Sequence, residues 1–136
     1  MVNDLKTVMV FGTFDGLHKG HIHFLMQAKD YGDELIVVVA RDKTVKKIKG
    51  KLPRLKEEER QKEIIKSKLT EKVTLGRLNN KYKLIKYYKP DVICLGYDQS
   101  CFTENLSEKL KALGLLNTKI VRLKAYKPEK YKSSLL

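Results

Sequence analysis

Acidic residues are scarce in this 136-residue chain: 16 Asp plus Glu stand against 29 Lys plus Arg, for a formal net charge of +13. Cysteine is scarcer still, and Cys94 and Cys101 are too few for a disulfide scaffold. Only 3 Pro and 8 Gly punctuate the sequence, which excludes collagen-like and low-complexity classes. No apolar run approaches the roughly 20 residues that span a bilayer. The opening MVNDLK also lacks the hydrophobic stretch of a signal peptide, so a cytoplasmic protein without a membrane partner is expected. Apolar residues make up 42% of the chain, enough for one buried core, and the length suits a single domain over 1–136. The excess of positive charge points to polyanionic partners: nucleic acid, a membrane surface or small phosphorylated molecules.

Along the chain, short apolar runs alternate with helical periodicity. Thr7 to Phe11 (TVMVF) reads as a strand ending at Gly12, and Gly20 to Tyr31 then places Ile22, Leu25, Met26 and Lys29 at helical spacing. Leu35 to Ala40 (LIVVVA) is continuously apolar, as a strand covered on both faces of a parallel sheet should be. The basic stretch DKTVKKIKGKL reads as a connection, and Pro53 separates it from a helix over LKEEERQKEIIKSKL. Strands at Val73 to Leu75, Asp91 to Leu95 and Lys119 to Leu123 alternate with helices at Lys81 to Tyr88 and Glu104 to Leu113. This order predicts an α/β fold, a doubly wound parallel five-stranded sheet with helices on both faces. In such a sheet ligands bind beyond the carboxyl ends of the strands, which brings GTFDGLHKGH and GYDQS to a common crevice.

Chemistry concentrates in the first of these segments. His18 and His21 fall on one face at the start of a helix, where backbone N–H groups and the helix dipole favour an anion. Gly12 is read as permitting a tight turn and Gly20 as letting a phosphate approach the backbone, while each imidazole can donate to phosphate oxygens. His23 extends the pair to H-x-x-H-x-H, but it faces another side of the helix and no Cys or carboxylate completes a zinc site. Cys94 reads as a core residue.

The stretch Gly12 to His21, G-T-F-D-x-x-H-x-G-H, resembles the signature of the cytidylyltransferase-like nucleotidyltransferase superfamily. Arg41-Asp42, the basic loop through Lys49, Gly50, Lys51 and Pro53, Arg60, the LGYD turn at Leu95 to Asp98 and the closing Ser133-Ser134 extend the likeness over the whole chain. Within that superfamily RDKTVKKIKGKLP, LGYDQ and YKSS look most like archaeal-type FAD synthases, which join the AMP of ATP to FMN. Glycerol-3-phosphate cytidylyltransferases, which use CTP, share the first motif and the length, so nucleobase and acceptor stay open at this point. The resemblance implies a Rossmann-like fold, and dimers are frequent among relatives.

By the same resemblance His18 and His21 contact the triphosphate and stabilise the transition state, and Lys51 is a third catalytic residue that neutralises phosphate charge. Thr13 and Phe14 hold the nucleotide through backbone groups, and Lys19 and Gly20 complete that stretch. Asp98 contacts ribose or base, Tyr126 packs near the nucleotide, and Arg60 and Lys132 neutralise phosphates. Ser133 and Ser134 cap a last short helix facing the triphosphate. Mg²⁺ or another divalent cation is the implied metal, with Asp15 its nearest ligand, directly or through water. Tyr97, Phe102, Tyr126 and Tyr131 are available to stack on a flavin ring. The sequence departs from its relatives in one place: Lys127, Lys130 and Lys132 stand where many carry an Arg before the Ser/Thr pair.

Between Lys43 and Lys89 there are 17 basic and 5 acidic residues, nearly the whole net charge. Such a face suits nucleic acid bound without sequence preference. The segment nevertheless has no recognisable nucleic-acid-binding signature, and steering of anionic small-molecule substrates is the plainer reading.

Overall fold

A computed structural model describes residues 5–78, 80, 82–96 and 105–124. Its elements run β1 (Thr7–Gly12), α1 (Lys19–Lys29), β2 (Glu34–Val39), α2 (Asp42–Lys49), α3 (Glu57–Ser67), β3 (Lys72–Leu75), α4 (Tyr82–Tyr88), β4 (Val92–Leu95), α5 (Leu106–Ala112) and β5 (Lys119–Arg122). The strands form one five-stranded sheet in the order β3-β2-β1-β4-β5, every pairing parallel. This is the doubly wound sheet expected from the alternation of elements and the Rossmann-like fold that the resemblance implies.

The apolar runs explain the layering. Successive side chains of a strand point to opposite faces. Val8 and Val10 therefore meet Leu25 and Ala28 of α1 and Ile64 of α3, while Met9 and Phe11 meet Ile85 of α4 and Leu106 and Leu110 of α5. β2 does the same, with Leu35, Val37 and Val39 on the first face and Ile36 and Val38 on the second. Each such fully buried aliphatic side chain contributes about 1.5–3 kcal/mol. A strand covered on both sides can thus be apolar throughout.

One element departs from expectation. The basic stretch after β2 is not a connection; Asp42–Lys49 is the helix α2. Asp42 occupies its first turn and Lys46, Lys47 and Lys49 its last, an arrangement that complements the helix dipole. Val45 is buried beneath it, and Gly50 ends it in the left-handed region at φ 81°. Its N-terminal cap comes from another helix: Glu57 accepts from the Asp42 N–H at 2.7 Å and pairs with Arg41 at 2.9 Å. A cap 15 residues away leaves no local sequence pattern.

β1 lies between β2 and β4, so the direction of winding reverses at its carboxyl end. Gly12 and Leu95 close β1 and β4 beside each other at this switch point, the position at which doubly wound sheets bind ligands.

Candidate active site

The turn from β1 to α1 is held in a demanding conformation. Phe14 has φ 53° and is buried, and its carbonyl accepts the Gly16 N–H at 2.9 Å. Gly12 serves this turn by its lack of a side chain rather than by a positive φ, because a Cβ there would lie 2.7 Å from the Phe14 ring. Gly16 does need its freedom, with φ 87°. Asp15 then ties the turn to the loop before α3: its two carboxylate oxygens accept the backbone N–H groups of Arg54 at 2.6 Å and Leu55 at 2.8 Å. Partial burial raises its pKa, but these two donors and the charges of Arg54 and Arg60 outweigh burial and hold it below the ordinary value.

His18 caps α1 with its own ring. Its Nδ1 accepts the N–H of Gly20 at 3.0 Å and of His21 at 3.4 Å. The Gly20 N–H is thereby engaged by the His18 ring. An Nδ1 that accepts carries no proton, so neutral His18 holds its proton on Nε2 as a donor. His21 differs. Its Nδ1 lies 3.1 Å from the Gly16 carbonyl and 3.4 Å from the His18 N–H, and one nitrogen cannot donate to the first while accepting from the second. The shorter contact places the proton on Nδ1, leaving Nε2 a lone pair in the neutral ring. Protonation would keep the Gly16 bond and turn Nε2 into a second donor.

The two imidazoles stack, centroids 3.8 Å apart and 21° from parallel, and the Phe14 ring meets His21 edge-on at 5.4 Å. Burial lowers the His21 pKa, as do His18 and Lys49; the Gly16 carbonyl and Asp15 pull upward without reversing it. The free protein thus presents one ready N–H donor and one histidine that an arriving anion would help to protonate.

Arg60 is fully buried beneath this turn. Its guanidinium donates to the carbonyls of Leu55 at 3.0 Å and Thr13 at 2.8 Å and to Asp42 Oδ1 at 2.7 Å. It has no surface to offer a phosphate; it clamps the signature turn, the loop before α3 and the start of α2 together. Arg41 completes the neighbouring junction, donating to the Gly76 carbonyl at 2.8 Å. Of the backbone groups of Thr13 and Phe14, the two carbonyls accept from Arg60 and from the Gly16 N–H.

Lys19 and Lys51 are exposed, Lys19 in the first turn of α1 and Lys51 on the loop that Asp15 anchors. Asp98, Tyr126, Lys132, Ser133 and Ser134 lie outside the described residues, as do Tyr97, Cys101, Phe102 and Tyr131. Arg54 and Glu63 were not singled out from the sequence. They join Asp15, Gly16, Leu17 and His18 around an open groove of about 590 Å³, in which Glu63 accepts the Leu17 N–H at 3.1 Å. The clue to Arg54 was its place directly after Pro53 in the basic loop.

Among the described residues no three His, Cys, Asp or Glu side chains gather as a metal cage. Asp15 and Glu63 line the groove and already accept backbone N–H groups, but a carboxylate oxygen with one such bond can still accept from metal-bound water, which fits a hydrated Mg²⁺ whose other ligands come from a substrate.

A family model described as Cytidylyltransferase-like matches residues 9–136. The FAD synthase of Pyrococcus horikoshii is 46% identical over 129 residues, covering 93% of this chain and 86% of its own. That of Archaeoglobus profundus is 46% identical over 127 residues, covering 93% and 80%. Among solved structures, a lipopolysaccharide core biosynthesis protein from Thermoplasma volcanium superposes with a TM-score of 0.83 at 43% identity, over 90% of this chain and 98% of that one. A pantoate-beta-alanine ligase from Francisella tularensis, at 18% identity over 90% of this chain and 60% of its own, shares the fold with a TM-score of 0.66. The histidine-bearing turn at the switch point is accordingly no isolated likeness: the chain belongs to the cytidylyltransferase-like family.

Proposed function

We propose that this protein is a nucleotidyltransferase that joins the AMP of ATP to the phosphate of FMN, forming FAD and pyrophosphate. The observation that carries the reading is the stacked pair His18 and His21 at the switch point, in a chain that shares nearly half its residues with FAD synthases across most of both lengths. An FMN phosphate oxygen attacks the α-phosphorus of ATP, and the bond from that phosphorus to the bridging oxygen of the β-phosphate breaks. Catalysis is then positioning and charge stabilisation, without a covalent enzyme intermediate.

His18 donates from Nε2 to a triphosphate oxygen while its Nδ1 holds the helix start. His21 takes a proton as the triphosphate arrives and stabilises the charge that moves to the leaving oxygens. Lys49 is near enough for its charge to act on His21, Lys19 stands in the first turn of α1, and Lys51 is assigned to the phosphates by resemblance. Arg60 acts on the turn alone, as a positioning residue. Mg²⁺, when bound, would neutralise triphosphate charge, with Asp15 and Glu63 facing it through water. Asp98, Tyr126, Lys132, Ser133 and Ser134 are assigned to nucleotide binding by resemblance.

Small-molecule substrates are the partners in this reading, and a cytoplasmic place and a homodimer complete it. Among the described residues no helix is long and apolar enough to cross a membrane. The direct test is incubation with ATP, FMN and Mg²⁺ and chromatography of the products. FAD formed in step with pyrophosphate is expected, and alanine at His18 or His21 should lower turnover by about 10²–10³-fold with the fold intact.

A further inference from the structure

Arg54 holds a place that the mechanism above leaves unused. Its backbone N–H is pinned to Asp15 Oδ2 at 2.6 Å, so the loop delivers it to a fixed point. Its guanidinium lies over Gly16, so closely that a Cβ on Gly16 would collide with Nη2. Gly16 is also the residue whose carbonyl orients His21. Arg54 is exposed in the groove that His18 shares, and among the described residues it makes no ion pair. An exposed guanidinium on an anchored stretch of backbone is a fork for two phosphate oxygens. Its field is also felt at Asp15, whose carboxylate it stabilises.

We propose that Arg54 grips the pyrophosphate leaving group of the nucleoside triphosphate. The inference rests on the nucleotidyl-transfer reading. The remaining side chains of the groove choose the leaving group over the acceptor. Asp15 and Glu63 would repel an attacking phosphate that carries its own negative charge, whereas pyrophosphate arrives with a cation that carboxylates can face through water.

The test is titration calorimetry of inorganic pyrophosphate with Mg²⁺ into the wild-type protein, Arg54→Ala and Arg54→Lys, with steady-state kinetics alongside. Arg54→Ala should bind pyrophosphate about ten- to a hundredfold more weakly, with Arg54→Lys between. Its inhibition by pyrophosphate should weaken in parallel while the KM for FMN holds within about twofold. Unchanged pyrophosphate affinity, or a raised KM for FMN alone, would overturn the assignment, as would a wild-type protein that binds no pyrophosphate. The exposed side chain makes both variants foldable, and matching thermal midpoints check it. Because the titration needs no turnover, it still reads Arg54 if ATP and FMN give no FAD, an outcome that would strike the substrate assignment instead.

Discussion

Truncating Arg60 to Ala removes a charge that is wholly inside the protein and holds three segments at once. The change orphans the Thr13 and Leu55 carbonyls and leaves Asp42 without its partner at 2.7 Å. Breaking a buried ion pair from one side costs about 3–5 kcal/mol. Asp42 keeps 28% of its side chain in water, which screens it and favours the lower end, but the loss of the packed alkyl stem adds to the total. About 3–4 kcal/mol is expected, against a whole-domain stability of about 5–15 kcal/mol. Urea unfolding followed by far-ultraviolet circular dichroism measures it directly. Arg60→Lys should recover little, since one ammonium cannot reach carbonyls on two segments and a carboxylate on a third. A loss below about 1 kcal/mol for Arg60→Ala would refute the claim that this guanidinium holds the turn together.

Other outcomes follow from the same geometry. Gly12→Ala forces the Phe14 ring away from its site and should cost about 1–3 kcal/mol by thermal or urea unfolding. His21 has its pKa lowered by burial, so the unfolded chain binds a proton more readily than the folded one. The stability it contributes is therefore present near neutrality and is lost as pH falls below the ordinary histidine value. Thermal midpoints measured from pH 7.5 to 5 should fall less steeply in His21→Gln than in the wild type. The fully buried thiol of Cys94, pushed up to about 12 by desolvation, should resist Ellman's reagent in a Cys101→Ser background until the protein is unfolded.

The parts of the structure written in short-range patterns were readable from the sequence. VMVF and LIVVV announce strands covered on both faces, and the alternation of strand and helix leads to the sheet found here. His18 and His21 stand out because three-residue spacing after a strand and a glycine is itself the geometry of a helix start. What escaped was made by long-range partners. α2 looks like a charged loop until Glu57 caps it from the next helix. Arg60 is one of 29 basic residues, and only the folded chain brings it to the Thr13 carbonyl 47 residues away. Asp15 resembles a metal ligand in the motif, but its two oxygens are spent first on holding the loop that carries Arg54. The roles expected of Asp98, Tyr126, Lys132, Ser133 and Ser134 fall outside the described residues.

The protein's function turns on which two molecules it joins. Four incubations with Mg²⁺, pairing ATP or CTP with FMN or glycerol 3-phosphate, followed by chromatography of nucleotide products and measurement of pyrophosphate, test it most directly. FAD and equimolar pyrophosphate are expected from ATP with FMN, and both should be lost in His18→Ala and His21→Ala. CDP-glycerol in the absence of FAD, or full activity in both histidine variants, would contradict this assignment.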